Sequence, residues 1–277
     1  MRNMKLSAPD IIARKGVEKI TMLTAYDASF ARLLESAQVD MLLVGDSVGM
    51  VVLGYDSTVP VTMDEMIHHA KAVRRGAPAT MLVGDMPFLS YQVSRQTAIA
   101  NAGRFFKEAG CDAVKLEGGR EVCKAVRAIV DAGMPVMGHI GLTPQTAGKL
   151  GGFKVQGKDV QSARRLLEEA RALEEAGAFS LVLECIPVGL ARLISEELRI
   201  PTIGIGAGVC CDGQVLVTHD LLGLFEKFMP SFVKNYINLA PEIKKAVSSF
   251  VTEVKDETFP DEQHSFPLQI DPADIMR

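Results

Sequence analysis

Two stretches of this 277-residue chain are nearly one strand written twice: LVGDS ends at Ser47 and LVGDM at Met86, and each sets an aspartate, Asp46 or Asp85, where an apolar run breaks. Two carboxylates at neighbouring strand ends suit a hard cation held by oxygen, Mg²⁺ above all, although a single Asp there would as readily cap the next helix. Lys115 and Glu117 stand two apart in VKLEG, so on a strand both face one side while Val114 and Leu116 face the other. Opposite charges in an apolar strand are costly to bury, which favours a functional pair over a bare salt bridge. His139 closes MGH and Glu184 closes LVLE; alone, the first reads as a hydrogen-bonded structural histidine and the second as a helix-start carboxylate. Together the six supply metal ligands, a fixed cation, a histidine and a spare carboxylate. That is equipment for removing a proton beside a carbonyl while a metal stabilises the enolate.

Such residues meet only if the elements carrying them converge. Apolar runs rich in Val, Ile and Leu alternate with amphipathic stretches, which is the pattern of repeated βα units with strands buried on both faces. Strands are expected to end at Tyr26, Asp46, Asp85, about Glu117, His139, Glu184 and Gly206, with a weaker eighth, VLVTH, ending at His219. Helices are expected over about 28–37, 63–75, 94–109, 119–132 and 187–198. In a further helix from Asp159, Val160, Ala163, Leu167, Ala170 and Leu173 recur at three- and four-residue steps, and Gly177 stops it. The first strand runs into TAYDASF without GxGxxG, which disfavours an open dinucleotide-binding sheet. The preferred fold is α/β, a single (β/α)8 TIM barrel over residues 1–277 with an irregular C-terminal arm from about 256; such barrels take about 250 residues. Its active site lies at the C-terminal ends of the strands, where all six residues fall.

The Gly-rich segment Gly141–Lys158 predicts an irregular, mobile cover over the site. GIGAG at Gly204–Gly208 lets backbone approach a ligand and offers a weak phosphate-binding reading. His68, His69, His219 and His264 fall outside the constellation. Cys185 has no paired histidine by sequence logic, so packing is its simpler role.

Thirty basic and 34 acidic residues give a formal charge of −4, and the basic ones are scattered, which argues against a nucleic-acid surface. Five cysteines without a CxxC pair suggest reduced thiols in a cytoplasm. No stretch reaches the ~18 apolar residues of a membrane span, and nothing at the N-terminus reads as a targeting segment.

TAYD, LVGDSVGMVVLGYDSTVPVT, HHAKAVRRGAP, VKLEGG, GHIGLTPQ, GGFKVQG, LVLECIP, IPTIGIGAG and CDGQVLVTHDLLG together resemble the ketopantoate hydroxymethyltransferase family over about residues 5 to 266. FEKFMP departs from the family's text, and residues 267 to 277 look like an extension. The resemblance implies transfer of a hydroxymethyl group from 5,10-methylenetetrahydrofolate to 3-methyl-2-oxobutanoate, giving 2-dehydropantoate and tetrahydrofolate in pantothenate biosynthesis. It implies Asp46 and Asp85 as Mg²⁺ ligands, with Glu117 at the metal directly or through water. Asp46 with Ser47, Asp85, Lys115 and His139 would hold the keto acid, and Glu184 would accept the proton. A large homo-oligomer, commonly a decamer, is implied as well. One rival is a carbon–carbon lyase of the isocitrate lyase and phosphoenolpyruvate mutase type, disfavoured because no KKCGH-like stretch occurs. The other is a non-catalytic keto-acid-binding barrel, disfavoured because every expected ionisable residue is present.

Overall fold

The computed structural model describes residues 5–148, 152, 154–227 and 229–276. Among these residues the apolar runs form β1 (Ile20–Thr24), β2 (Met41–Val44), β3 (Met81–Asp85), β4 (Ala113–Glu117), β5 (Val136–Gly141), β6 (Ser180–Glu184), β7 (Thr202–Ile205) and β8 (Gly213–Leu216). All pair in parallel in chain order, and β8 closes on β1. The fold is therefore the (β/α)8 barrel that the alternation predicts. The helices are α1 (Ala8–Ala13), α2 (Ala28–Ser36), α3 (Val48–Val51), α4 (Met63–Gly76), α5 (Arg95–Ala109), α6 (Cys123–Asp131), α7 (Val160–Glu175), α8 (Val188–Glu197), α9 (Thr218–Leu221), α10 (Leu239–Lys255) and α11 (Pro272–Ile275).

Local chemistry explains where the helices begin. Thr62 and Glu65 close a capping box on α4, Ser94 accepts from Thr97 N–H at the start of α5, and Asp159 accepts from Gln161 and Ser162 N–H at the start of α7. On α7 the buried face is Leu166, Ala170 and Leu173, and Val160, expected with them, is exposed because it sits at the first helical position. The eighth strand differs from VLVTH: it starts earlier and stops at Leu216, because Thr218 donates its N–H to Thr24 Oγ1 and turns the chain into α9. His219 therefore lies in a helix.

Strand residues sort by parity into two cores. Met22, Leu43, Val83, Ala113, Met137, Val182, Ile203 and Val215 fill the barrel interior, with Ile11 of α1 packed beneath. Leu42, Leu82, Val114, Leu116, Leu181 and Leu183 face the helices. Gly84 belongs to the second set, and a Cβ there would lie 2.3 Å from Phe105 Cδ1, so α5 sits on β3 at a distance that only glycine allows. Gly84→Ala is expected to cost about 1–3 kcal/mol by overpacking. At about 2–4 °C per kcal/mol for a domain of 150–250 residues, that lowers the melting temperature by several degrees. Adding Phe105→Leu should return part of the loss, and an unchanged melt for Gly84→Ala would show that α5 shifts freely.

The chain groups into two units, one holding the barrel to Thr218 with Pro230–Val233, the other holding His219–Met229 and the chain from Lys234 on. In the second, α10 starts where Leu239 N–H meets Leu222 O, and Lys244 pairs with Glu226 at 2.8 Å. The Phe259 ring stacks near Phe250 and His264, at 5.7 and 5.6 Å. Nothing in the βα alternation calls for α10, since no strand follows it, although Ile243, Val247, Phe250 and Val254 recur at helical steps. No helix among the described residues is long and apolar enough to cross a membrane.

Candidate active site

Strand register assembles five of the six ionisable residues. Asp85 pairs with Lys115, Glu117 with His139, and Gly141 with Glu184. Each step climbs two residues along a strand, so Asp85, Lys115, Glu117, His139 and Glu184 keep the parity of the barrel interior and stand above its apolar filling, while Asp46 lies two residues beyond the end of β2. All lie at C-terminal strand ends, where barrel enzymes carry their chemistry.

Lys115 Nζ is 2.8 Å from Asp85 Oδ1 and 3.8 Å from Glu117 Oε1, so its nearer counter-ion is Asp85, not the residue two along its own strand. His139 Nδ1 lies 3.3 Å from Lys115 Nζ and 3.5 Å from Glu117 Oε1, and its Nε2 is 3.1 Å from Glu184 Oε2. Asp85 Oδ2 accepts from Asp46 N–H at 3.2 Å. Neither aspartate caps a helix, because Ser47 and Ser94 occupy the N-cap positions of α3 and α5. Ser47 Oγ meets Tyr26 Oη at 2.8 Å, and His69, in α4, bonds the Tyr26 carbonyl through Nδ1 at 2.7 Å.

Asp46, Asp85, Lys115, Glu117 and His139 are all buried, with Glu184 half-buried beside them. Burial, then the charges of Asp85 and Glu117, push the Asp46 carboxyl well above the usual range. Burial raises Asp85 too, against the pull of Lys115. Glu117 is lowered despite burial, through His139 and Lys115. Burial and Lys115 work against a charged His139, but Glu117 and Glu184 outweigh them and raise it to about 9. Three buried carboxylates face one buried ammonium, and Asp85 Oδ1, Glu117 Oε1 and His139 Nε2 lack hydrogen bonds of good geometry despite their close ionic neighbours. A divalent cation and an anionic substrate would complete such a set. Among the described residues no three His, Cys, Asp or Glu side chains already converge as a cage, and Mg²⁺ does not require one: it commonly takes one or two carboxylates and fills its shell with water and substrate. The oxygen donors fit that ion.

Two uncharged residues complete the site and escape a search for charged side chains: Gln145, in a 3₁₀ turn at Pro144–Thr146, and Tyr91. The turn gives local order to part of the segment 141–158 expected to be irregular. Gly141 itself ends β5 with φ +96°, and a Cβ there would lie 2.2 Å from the Glu184 carbonyl oxygen, which instead accepts Leu142 N–H at 2.8 Å. The expectation of a mobile cover falls partly on residues 149–151 and 153, which lie outside the described residues. At GIGAG, the space a Gly206 side chain would need is taken by Phe232, so this glycine answers to packing. Cys185 follows Glu184 with φ +49°, and burial with the Glu184 charge pushes its thiol up to about 12, which suits packing and not nucleophilic attack. All five cysteines are unpaired.

The family described as Ketopantoate hydroxymethyltransferase matches residues 5–262. A protein of Desulfotalea psychrophila is 60% identical over 269 residues, covering 97% of this chain and 96% of its own, and one of Heliobacterium modesticaldum is 60% identical over 255 residues, 92% of each. One of Clostridium botulinum strain Langeland is 56% identical over 98% of both chains, which reaches into the segment beyond residue 266. All three are named 3-methyl-2-oxobutanoate hydroxymethyltransferase. Among solved structures, phosphoenolpyruvate phosphomutase of Streptomyces platensis subsp. rosaceus superposes with a TM-score of 0.62 at 17% identity, over 95% of this chain and 92% of its own. Phosphonopyruvate hydrolase in complex with oxalate and Mg²⁺ gives 0.61 at 12% identity, over 95% and 93%. These structures share the barrel fold. The matched family span and the high identity over nearly the whole chain agree with the clustered site residues: the chain belongs to the ketopantoate hydroxymethyltransferase family.

Proposed function

We propose that this site transfers a hydroxymethyl group to 3-methyl-2-oxobutanoate from 5,10-methylenetetrahydrofolate and water, giving 2-dehydropantoate and tetrahydrofolate, the pantothenate-pathway reaction for which its relatives are named. The observation that carries the site assignment is the unbroken chain of close contacts from Glu184 through His139 and Lys115 to Asp85 and Asp46. Asp46 and Asp85 would hold Mg²⁺, with Glu117 beside it directly or through water. A Mg²⁺ ion held there would supply positive charge beside the α-keto acid and so acidify the proton next to its carbonyl.

Lys115, kept cationic by Asp85 and Glu117 although burial opposes its charge, pairs with the substrate carboxylate. Asp46, Ser47 and His139 complete the hold on the keto acid. Glu184 takes the C3 proton, and His139, 3.1 Å away, orients its carboxylate. The C3 carbon then bonds to the one-carbon unit of the folate, both carbon–nitrogen bonds of its methylene bridge break, water supplies the hydroxyl, and the C3 proton with one proton of that water ends on the two folate nitrogens. The reading extends to a cytoplasmic homo-oligomer, a decamer by family resemblance, and unpaired thiols support a reducing compartment. The test is spectrophotometric: tetrahydrofolate should form only with both substrates and a divalent cation present. No product, or full activity in excess chelator, would sink the reading.

A further inference from the structure

Gln145 is 4% exposed and turns its backbone N–H and its side-chain amide to the site. Its backbone N–H donates to Glu117 Oε2 at 3.0 Å. Its side-chain Nε2 donates to Asp46 Oδ2 and to the Met86 carbonyl, both at 2.9 Å. A primary amide has two N–H donors and one carbonyl acceptor. With both donors used on acceptors, the amide orientation is settled: Oε1 must face a donor, and the Tyr91 hydroxyl is 2.9 Å from it. That hydroxyl also accepts Glu117 N–H at 3.1 Å and lies 2.9 Å from the Glu117 carbonyl. Tyr91 is buried beside Glu117.

Building on the site reading above, we infer that Gln145, braced by Tyr91, is a positioning residue that fixes Asp46 and Glu117 for a divalent cation. It binds one oxygen of each carboxylate, Asp46 Oδ2 and Glu117 Oε2, and the other Glu117 oxygen, Oε1, is left without a hydrogen bond. The arrangement answers an electrostatic problem. Asp46, Asp85 and Glu117 repel one another in a buried space, and the amide supplies positive dipole to two of them without adding a charge that would compete with the cation. A lysine at this place would neutralise the site, and a glutamate would worsen the repulsion. The connection is also long in sequence: Gln145 follows β5, yet acts on carboxylates of the chain after β2 and at the end of β4. Partners of metal ligands commonly change metal affinity by about 10–100-fold when removed.

The experiment titrates the folded protein with Mn²⁺ alone and follows free Mn²⁺ by electron paramagnetic resonance, with thermal melts in chelator as a fold control. Gln145→Leu keeps the approximate size and the backbone N–H but removes both side-chain donors without adding a charge. It should weaken Mn²⁺ binding by about 10–100-fold while the protein stays folded. Tyr91→Phe keeps the ring, removes the hydroxyl that meets Gln145 and Glu117 and should weaken binding by several-fold in the same direction, which serves if Gln145→Leu does not fold. Wild-type protein that binds Mn²⁺ while both folded variants match it would overturn the positioning role alone. Wild-type protein that binds no Mn²⁺ would overturn the cation site and this inference with it.

Discussion

Glu184→Gln is expected to slow exchange of the C3 proton of 3-methyl-2-oxobutanoate with D₂O by about 10²–10⁴-fold, the usual contribution of a positioned base, while the keto acid still binds. A proton beside a ketone is far too weakly acidic for a free carboxylate, so the site must do most of the work by stabilising the negative charge that develops on oxygen. The base need only be close and correctly held. Glu184 meets both needs, since β6 ends on it, its side chain is 15% exposed, and His139 Nε2 lies 3.1 Å from its carboxylate. It is also placed away from the Asp46–Asp85 pair, with His139 and Lys115 between them in the chain of contacts. Glutamine preserves size and polarity but cannot accept the proton. The loss of the C3 proton signal by NMR reads the step without folate, so a defect in the co-substrate's binding cannot mimic the result. Exchange at the wild-type rate would move the base elsewhere, to His139 first.

Asp46→Ala and Asp85→Ala should each lower turnover by at least about 10²-fold, the scale on which loss of one electrostatic stabiliser is felt, yet only Asp85→Ala should destabilise the metal-free protein. Asp85 is the nearest counter-ion of buried Lys115, and removing one partner of a buried pair costs about 3–5 kcal/mol. Asp46 is a carboxyl whose charge the fold opposes, so its removal should leave the metal-free protein as stable as before or more so. The pH dependence has the same origin. A carboxyl raised on folding holds its proton in the folded state after the unfolded chain has lost it, so Asp46 and Asp85 make the metal-free protein lose stability as pH climbs from about 3.8 through their raised values. His139 adds in the same sense, its contribution being full below 6.5 and lost as pH passes about 9. Glu117, lowered on folding, weakens the protein only in acid. Because a cation binds the deprotonated carboxylates, Mg²⁺ should raise the melting temperature more at pH 8 than at pH 6. An equal rise at both values, or wild-type turnover in both variants, would remove the two aspartates from the cation site.

The sequence made the barrel legible because strands buried on both faces leave short apolar runs, and a run that stops at a charge marks a strand end. Asp46, Asp85, Lys115, Glu117, His139 and Glu184 were visible for that reason, and parity along VKLEG already put Lys115 and Glu117 on one side. What one strand cannot disclose is its neighbour's register. The pairing of Asp85 with Lys115 makes Asp85 the lysine's closer partner, although Glu117 is far nearer in sequence. Gln145 and Tyr91 were hidden differently. They carry no charge and sit several residues beyond the ends of β5 and β3, and only the folded loops bring them to the same atoms. The eighth strand was misplaced because Gly213–Leu216 is short and ends on a threonine-directed turn, whose partner Thr24 is 194 residues away. Helix α10 stands outside the repeating unit that made the rest readable.

Gly141 carries a lesson for exchanging loops between barrels. Its φ of +96° and the Glu184 oxygen where its side chain would go let β5 turn tightly past the end of β6. The chain that leaves this turn reaches Gln145, whose contacts are to Asp46, Met86, Glu117 and Tyr91. A graft that cuts at the customary strand–loop boundary would separate the pivot from the residue it delivers and both from Tyr91, which belongs to a different loop. The transferable module is therefore discontinuous: Gly141–Gln145 together with Tyr91. Chimeras or shuffled libraries that treat each loop as an independent cassette will lose function at this junction even when both donor sequences are active.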